Sequence, residues 1–145
     1  MQINLAYGQT GLTVNLPEMT DVIEAAPVPG LADEAAAIRE ALRRPIESEP
    51  LATRIKPGDS VVIVHSDITR ATPNDRILPV LLAELESAGV NRRDITLLNA
   101  LGTHRPQTKA ELRAMLGDHI VDNYRCLQHD IQDQANLVSL GQTGR

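Results

Sequence analysis

Val61-Val62-Ile63-Val64-His65-Ser66-Asp67-Ile68-Thr69-Arg70-Ala71-Thr72-Pro73 joins an apolar run to a dense polar turn and then to the start of a helix. The β-branched run Val61 to Val64 suits a strand covered on both faces, as in a parallel sheet. It is led in by Pro57-Gly58-Asp59, a turn signal. Thr72 followed by Pro73 reads as a helix N-cap with proline at the first helical position, and Asp75 sits where a capping-box acid would. The helix carries Ile77, Leu78, Leu81, Leu82 and Leu85 on one face and stops at Ala88-Gly89, with glycine suited to the cap. Pro79 is its misfit, because an interior proline removes a backbone hydrogen bond and predicts a kink or a later start near Arg76.

The pattern repeats downstream. Asp94 to Ala100 supplies another buried strand, Leu101-Gly102-Thr103-His104-Arg105-Pro106 a second polar turn, and Thr108 to Glu111 a capping box before a helix that Gly117 ends. A third extended piece, Tyr124 to Leu127, stops at Gln128-His129-Asp130, and a last one spans Leu137 to Leu140. Upstream, Ile3-Leu5-Tyr7 and Leu12-Val14-Leu16 alternate about a Gly8-Gln9-Thr10-Gly11 turn and read as a hairpin. A short extended piece is expected from Asp21 to Ala26, an amphipathic helix between Gly30 and Pro45, and a polar, turn-prone segment from Glu47 to Lys56. The fold class is therefore α/β: a mostly parallel sheet with flanking helices, built of Rossmann-like βαβ units and preceded by an N-terminal β-hairpin.

With 145 residues, the chain is expected to form a single α/β domain over residues 1–145. It has no Phe or Trp and two Tyr, so Leu, Ile, Val and Ala must fill the core. A net charge of -5 gives no electrostatic reason to approach nucleic acid, and the lack of aromatics removes a base-stacking platform. No apolar run is long enough to cross a membrane, and nothing near Met1 resembles a secretory leader. The single cysteine, Cys126, reads as core filler and fits a reducing compartment, so a cytoplasmic location is expected.

In open α/β sheets ligands bind beyond the carboxyl ends of the strands, where the three polar loops Ser66 to Thr72, Gly102 to Arg105 and Gln128 to Asp130 emerge. Arg70 offers a fork of donors that matches a carboxylate or phosphate, and the helix start adds free backbone N–H groups. Either it meets an anionic ligand there, or it pairs with Asp67 while Ser66, Thr69 and Thr72 cap the turn. His104 lies on a glycine-containing loop. It can serve as a general acid/base, since a histidine titrates near neutrality, or it can hold the loop by a hydrogen bond. His129-Asp130 offers the same choice, with a loop-stabilising pair favoured. The histidines are too scattered for a metal site of this chain's own, and there is no GxGxxG, GxxxxGK[ST] or GxSxG motif.

The Ser-Asp-Ile-Thr-Arg-Ala-Thr-Pro turn and the Gly-Thr-His-Arg turn, one helix and one strand apart, resemble the N-terminal domain of the nickel-dependent lactate racemase family. The Lys56-Pro57-Gly58-Asp59 lead-in, the Leu-rich helix ending Ala88-Gly89-Val90 and the His129-Asp130 loop are also similar, so the likeness covers most of the chain from Lys56 onward. It implies an isomerase that racemises or epimerises a small α-hydroxy acid, moving a hydride from the substrate carbon to a nickel-pincer nucleotide and returning it to the other face. His104 then matches the acid/base histidine, and Arg70 the arginine that binds the substrate carboxylate. Asp67 matches the aspartate that orients Arg70 or hydrogen-bonds the ligand, and Ser66, Thr69 and Thr72 stand on the cofactor side. The family's cofactor-anchoring lysine and metal-binding histidine lie beyond the matched region. The resemblance thus makes this chain the N-terminal part of a larger two-domain enzyme, partnered by its own C-terminal domain and inactive alone. Ala71 departs from the proline that many relatives carry. A non-catalytic anion- or nucleotide-binding module using the same Arg70 is the alternative.

Overall fold

The structure is a computed structural model that describes residues 1–144. The chain divides into two compact units, Met1–Gly30 and Leu31–Arg145. In the first, β1 (Gln2–Leu5) and β2 (Leu12–Asn15) pair antiparallel, Ile3 opposite Val14, which is the expected hairpin. The extended piece expected at Asp21–Ala26 forms no strand. Ile23 there lies 96% exposed.

The second unit is built of α1 (Glu34–Arg43), α2 (Leu51–Arg54), β3 (Val61–His65), α3 (Asn74–Ser87), β4 (Ile95–Asn99), α4 (Lys109–Leu116), α5 (Asp118–Asn123) and β5 (Arg125–Gln128). Its sheet is parallel throughout, in the order β3-β4-β5, with Ile63, Leu97 and Cys126 in one row and His65, Asn99 and Gln128 in the row two residues on. The core is aliphatic, as the composition requires: Leu78, Leu82 and Leu85 of α3 pack with Ile95 and Leu97 of β4, Leu116 of α4 and Ile120 of α5. Cys126 packs partly buried against this cluster.

Four expectations change. The helices that reach the core, α2 to α5, pack on one face of the sheet, so β3 alternates, with Ile63 turned to the core and Val62 and Val64 exposed, rather than being covered on both sides. The segment expected to be only turn-prone contains α2, whose Leu51 leans on the core. Thr72 does not cap α3; Pro73 stands at the N-cap, with no side-chain cap, and its carbonyl accepts from the N–H groups of Arg76 and Ile77. Leu137–Leu140 forms no strand, and Leu140 is 99% exposed.

Two helix ends of this unit obey local rules. Thr108 and Glu111 form the expected capping box at α4. At the far end of α3, Gly89 takes φ +93, its N–H bonds the Glu86 carbonyl and the Val90 N–H bonds the Leu85 carbonyl, a Schellman motif sealed by the buried pair Leu85 and Val90.

Candidate functional site

The polar residues that end the three strands stand side by side at the carboxyl edge of the sheet, and the loops after β3 and β4 rise from them. The first loop is folded by Asp67. Its Oδ1 accepts from the Thr69 backbone N–H at 3.0 Å and from the Thr69 hydroxyl at 2.6 Å, and its carbonyl accepts from the Arg70 N–H at 3.1 Å. Aspartate two residues before its donor is the Asx-turn arrangement, so this sequence bends here by its own side chain. Ser66 Oγ donates to Thr72 Oγ1 at 2.8 Å and pins the loop's two ends together.

The second loop is held by amide side chains. Buried Asn99 donates through Nδ2 to Gln107 Oε1 at 2.7 Å. Gln128 Oε1 accepts from the Gln107 N–H, and Gln128 Nε2 donates to the Gln107 carbonyl at 2.9 Å. Leu101, only 2% exposed, anchors the other end, and its carbonyl accepts from the His104 N–H. His104 is thus carried by a loop fixed at both ends.

The two loops are joined where His104 Nδ1 hydrogen-bonds Asp67 Oδ2. Asp67 is 3% exposed, whereas the His104 side chain is 48% exposed, so a buried carboxylate grips the inner nitrogen of an imidazole whose outer edge is open. Hydrogen bonds from the Thr69 hydroxyl and from His104 hold the Asp67 carboxyl down at about 2, so it is ionised throughout the neutral range. Opposite a carboxylate, Nδ1 must be the donor, which leaves Nε2 as the proton-accepting atom.

Asp67, Arg70, Gly102 and His104 line one cavity of about 490 Å³. Arg70 is exposed and has no ion-pair partner among the described residues, so Asp67 is committed to His104 and Thr69 rather than to Arg70. Arg105, the next cation along, is taken: its guanidinium donates to both Glu111 oxygens, at 2.9 and 2.6 Å. Arg70 is therefore the site's available anion-binding fork. A second cavity of about 420 Å³ brings His104 together with His129 and Asp130, so the third loop reaches the same rim. His129 and Asp130 do not pair; Asp130 Oδ1 accepts from the Gln132 N–H, and buried His129 Nδ1 has no partner among the described residues.

The hydroxyls of Ser66 and Thr69 are spent inside their own turn, and Thr72 accepts there from Ser66. No cluster of three His, Cys, Asp or Glu able to hold a metal ion exists among the described residues. These donors therefore do not fit a resident metal centre. His65, Asn99 and Gln107 were not expected at the site, and Gln128 only as the start of its third loop. Three of them share one signal visible in the chain, a polar residue that closes an apolar strand.

A parallel α/β unit with an exposed, unpaired arginine and a carboxylate-bound histidine on adjacent strand-end loops has the framework of a small-molecule site. The model of the lactate racemase N-terminal domain matches residues 7–145, and the chain belongs to that family. Over 144 residues it is 32% identical to a lactate racemase of Lactiplantibacillus plantarum, covering 97% of this chain and 34% of the relative. Over 143 residues it is 28% identical to a lactate racemase of Thermoanaerobacterium thermosaccharolyticum, covering 96% and 33%. The solved lactate racemase apoprotein from Thermoanaerobacterium thermosaccharolyticum superposes with a TM-score of 0.68 at 27% identity, over 94% of this chain and 32% of that one. The chain spans about a third of the length of the curated relatives it matches.

Proposed function

We propose that this chain is the N-terminal part of a lactate-racemase-like isomerase that inverts the α-carbon of a small α-hydroxy acid, and that the residues of this chain alone are inactive. The observation that carries the proposal is the Asp67–His104 hydrogen bond in the same cavity as an unpaired Arg70.

Arg70 receives the substrate carboxylate through two parallel N–H donors, which fixes the acid's orientation as well as its charge. His104 Nε2 takes the proton of the α-hydroxyl oxygen as the carbon–hydrogen bond is broken, and returns it when the bond re-forms on the other face. The imidazolium formed between these events is stabilised by the Asp67 carboxylate, which stays ionised. Asp67 is thus a positioning residue: it fixes the tautomer and the ring plane.

A hydride acceptor is also required. The family implies a nickel-pincer nucleotide for that purpose, and this chain's donor set does not fit the metal, so its anchoring is assigned to the remainder of the enzyme. Ser66, Thr69 and Thr72 serve the cofactor side only by fixing the turn. A cytoplasmic setting belongs to the same proposal. Among the described residues no helix is long and apolar enough to cross a membrane.

The test is His104→Ala in the cofactor-loaded enzyme, with racemisation followed by chiral chromatography. Loss of about 10²- to 10⁴-fold in kcat is expected, the usual worth of a positioned acid/base. Activity within a few-fold of the parent would remove His104 from the reaction.

A further inference from the structure

The cavity contains a second imidazole. His65 ends β3, is 6% exposed and lines the same space as Arg70 and His104. Its backbone is fixed in the sheet, in register with Asn99, and its carbonyl accepts from the Ala100 N–H at 2.9 Å. Its Nδ1 lies 3.0 Å from the Ser66 carbonyl oxygen. A carbonyl can only accept, so Nδ1 carries the ring proton and Nε2 presents a lone pair. Burial lowers the pKa of this histidine, so the ring stays neutral and the tautomer is fixed.

Nε2 has no hydrogen-bond partner among the described residues. Among the described residues, the fully buried side-chain atoms left without a partner are Asn99 Oδ1 and His129 Nδ1. His65 thus brings an unpaired acceptor to a residue that lines the cavity, and an acceptor there calls for a donor on the ligand.

This inference rests on the function proposed above. In that reading the substrate gives its carboxylate to Arg70 and its α-hydroxyl proton to His104, and neither group leaves a hydrogen for His65. A methyl side chain supplies none either. We propose that His65 is a specificity-determining residue whose Nε2 accepts a hydrogen bond from a second hydroxyl on the carbon next to the reacting one, so that the preferred substrates are di- or polyhydroxylated 2-hydroxy acids. Sites built to pair with a substrate hydroxyl discriminate strongly against analogues that lack it, because the protein's polar group is then left unmatched.

Glycerate and lactate differ by that single hydroxyl, and racemisation of each is measured with the holoenzyme, its His65→Leu variant and its His65→Gln variant. The parent is expected to favour glycerate over lactate by about tenfold or more in kcat/KM. Leucine should bring that ratio close to one, and glutamine, whose Oε1 can accept, should restore part of it. Calorimetric binding of both acids to the same three proteins needs no turnover and separates this inference from the function itself. Glycerate-selective binding that depends on position 65, without racemisation, would uphold the acceptor role and overturn the isomerase reading. Racemisation with no glycerate preference in the parent, or with a preference that leucine leaves intact, would overturn the acceptor role alone. Should the leucine variant fail to fold, the parent's ratio and the glutamine variant still decide the question. Binding that favours neither acid would also refute it.

Discussion

Asp67→Asn isolates the step on which the proposed chemistry depends. Both Thr69 hydrogen bonds fall on Oδ1, and only Oδ2 faces His104. An asparagine can therefore keep its oxygen on Thr69 and preserve the turn, while its NH₂ group takes the place of Oδ2. Confronted with a donor, His104 Nδ1 must become the acceptor, the ring proton moves to Nε2, and the atom that should take the substrate proton no longer can. The variant also loses the negative charge that stabilises the imidazolium. Positioned acid/base groups are worth about 10²- to 10⁴-fold, and the same carboxylate-to-amide exchange behind a catalytic histidine in a Ser-His-Asp triad costs about 10⁴. The expectation is a fall in kcat of at least about 10², with KM changed by less than about fivefold because Arg70 is untouched. Steady-state racemisation measures both, and circular dichroism confirms that the turn and the fold persist. A decrease below tenfold in a folded variant would refute the dyad, and a rise in KM with kcat preserved would show that Asp67 acts in binding.

Acid titration tests the electrostatics independently of catalysis. Glu111, held by Arg105 and by the Thr108 cap, has its carboxyl lowered from 4.5 to about 2, so the folded chain binds its proton less tightly than the unfolded chain. Its contribution is complete above pH 4.5 and is lost as pH falls through about 2. The stability gap between the parent and Glu111→Gln should therefore close on acidification, and a gap that widens would contradict the assignment. Gly89→Ala should lower stability in urea unfolding by about 1–2 kcal/mol for the left-handed backbone alone. A further loss is expected because the new Cβ would stand 2.9 Å from Pro57 Cγ. No measurable loss would mean that the α3 cap is not as described.

The legible parts of this fold are those whose causes are local. The β-branched run at Val61, the capping box at Thr108 and the glycine stop at Gly89 each carry their physical reason within a few residues, and each stands where the sequence puts it. The failures share a different cause. Asp21–Ala26 and Leu137–Leu140 read as short extended pieces, but a strand needs a partner edge, which a local window cannot contain. Thr72 has the right neighbours for an N-cap, yet its hydroxyl is engaged by Ser66, six residues earlier. The site follows the same rule. Arg70 and His104 are visible as chemistry in loops, whereas the partnership of Asp67 with His104 rather than Arg70 spans 37 residues and exists only once β3 and β4 lie side by side. His65 is hidden for the opposite reason: it reads as the last residue of a strand, and only burial and the Ser66 carbonyl give its ring one defined tautomer.

The openness of the rim sets what the proposed reaction still requires. With Arg70 exposed and the His104 side chain 48% exposed, a bound carboxylate would compete with water for its guanidinium. Two unit charges 4 Å apart attract by about 1 kcal/mol in bulk water and by about 4 kcal/mol at an effective dielectric near 20, so covering the rim strengthens the grip on the substrate without any new contact. The same cover would protect a hydride in transit from solvent protons. The sheet points the same way, for Val62 and Val64 are apolar and exposed on a face that parallel sheets ordinarily bury. In a protein of the relatives' length, where this chain accounts for about a third, the proposed active site is therefore a surface shared between this rim and what closes over it, with Asp67, Arg70 and His104 preformed on this side.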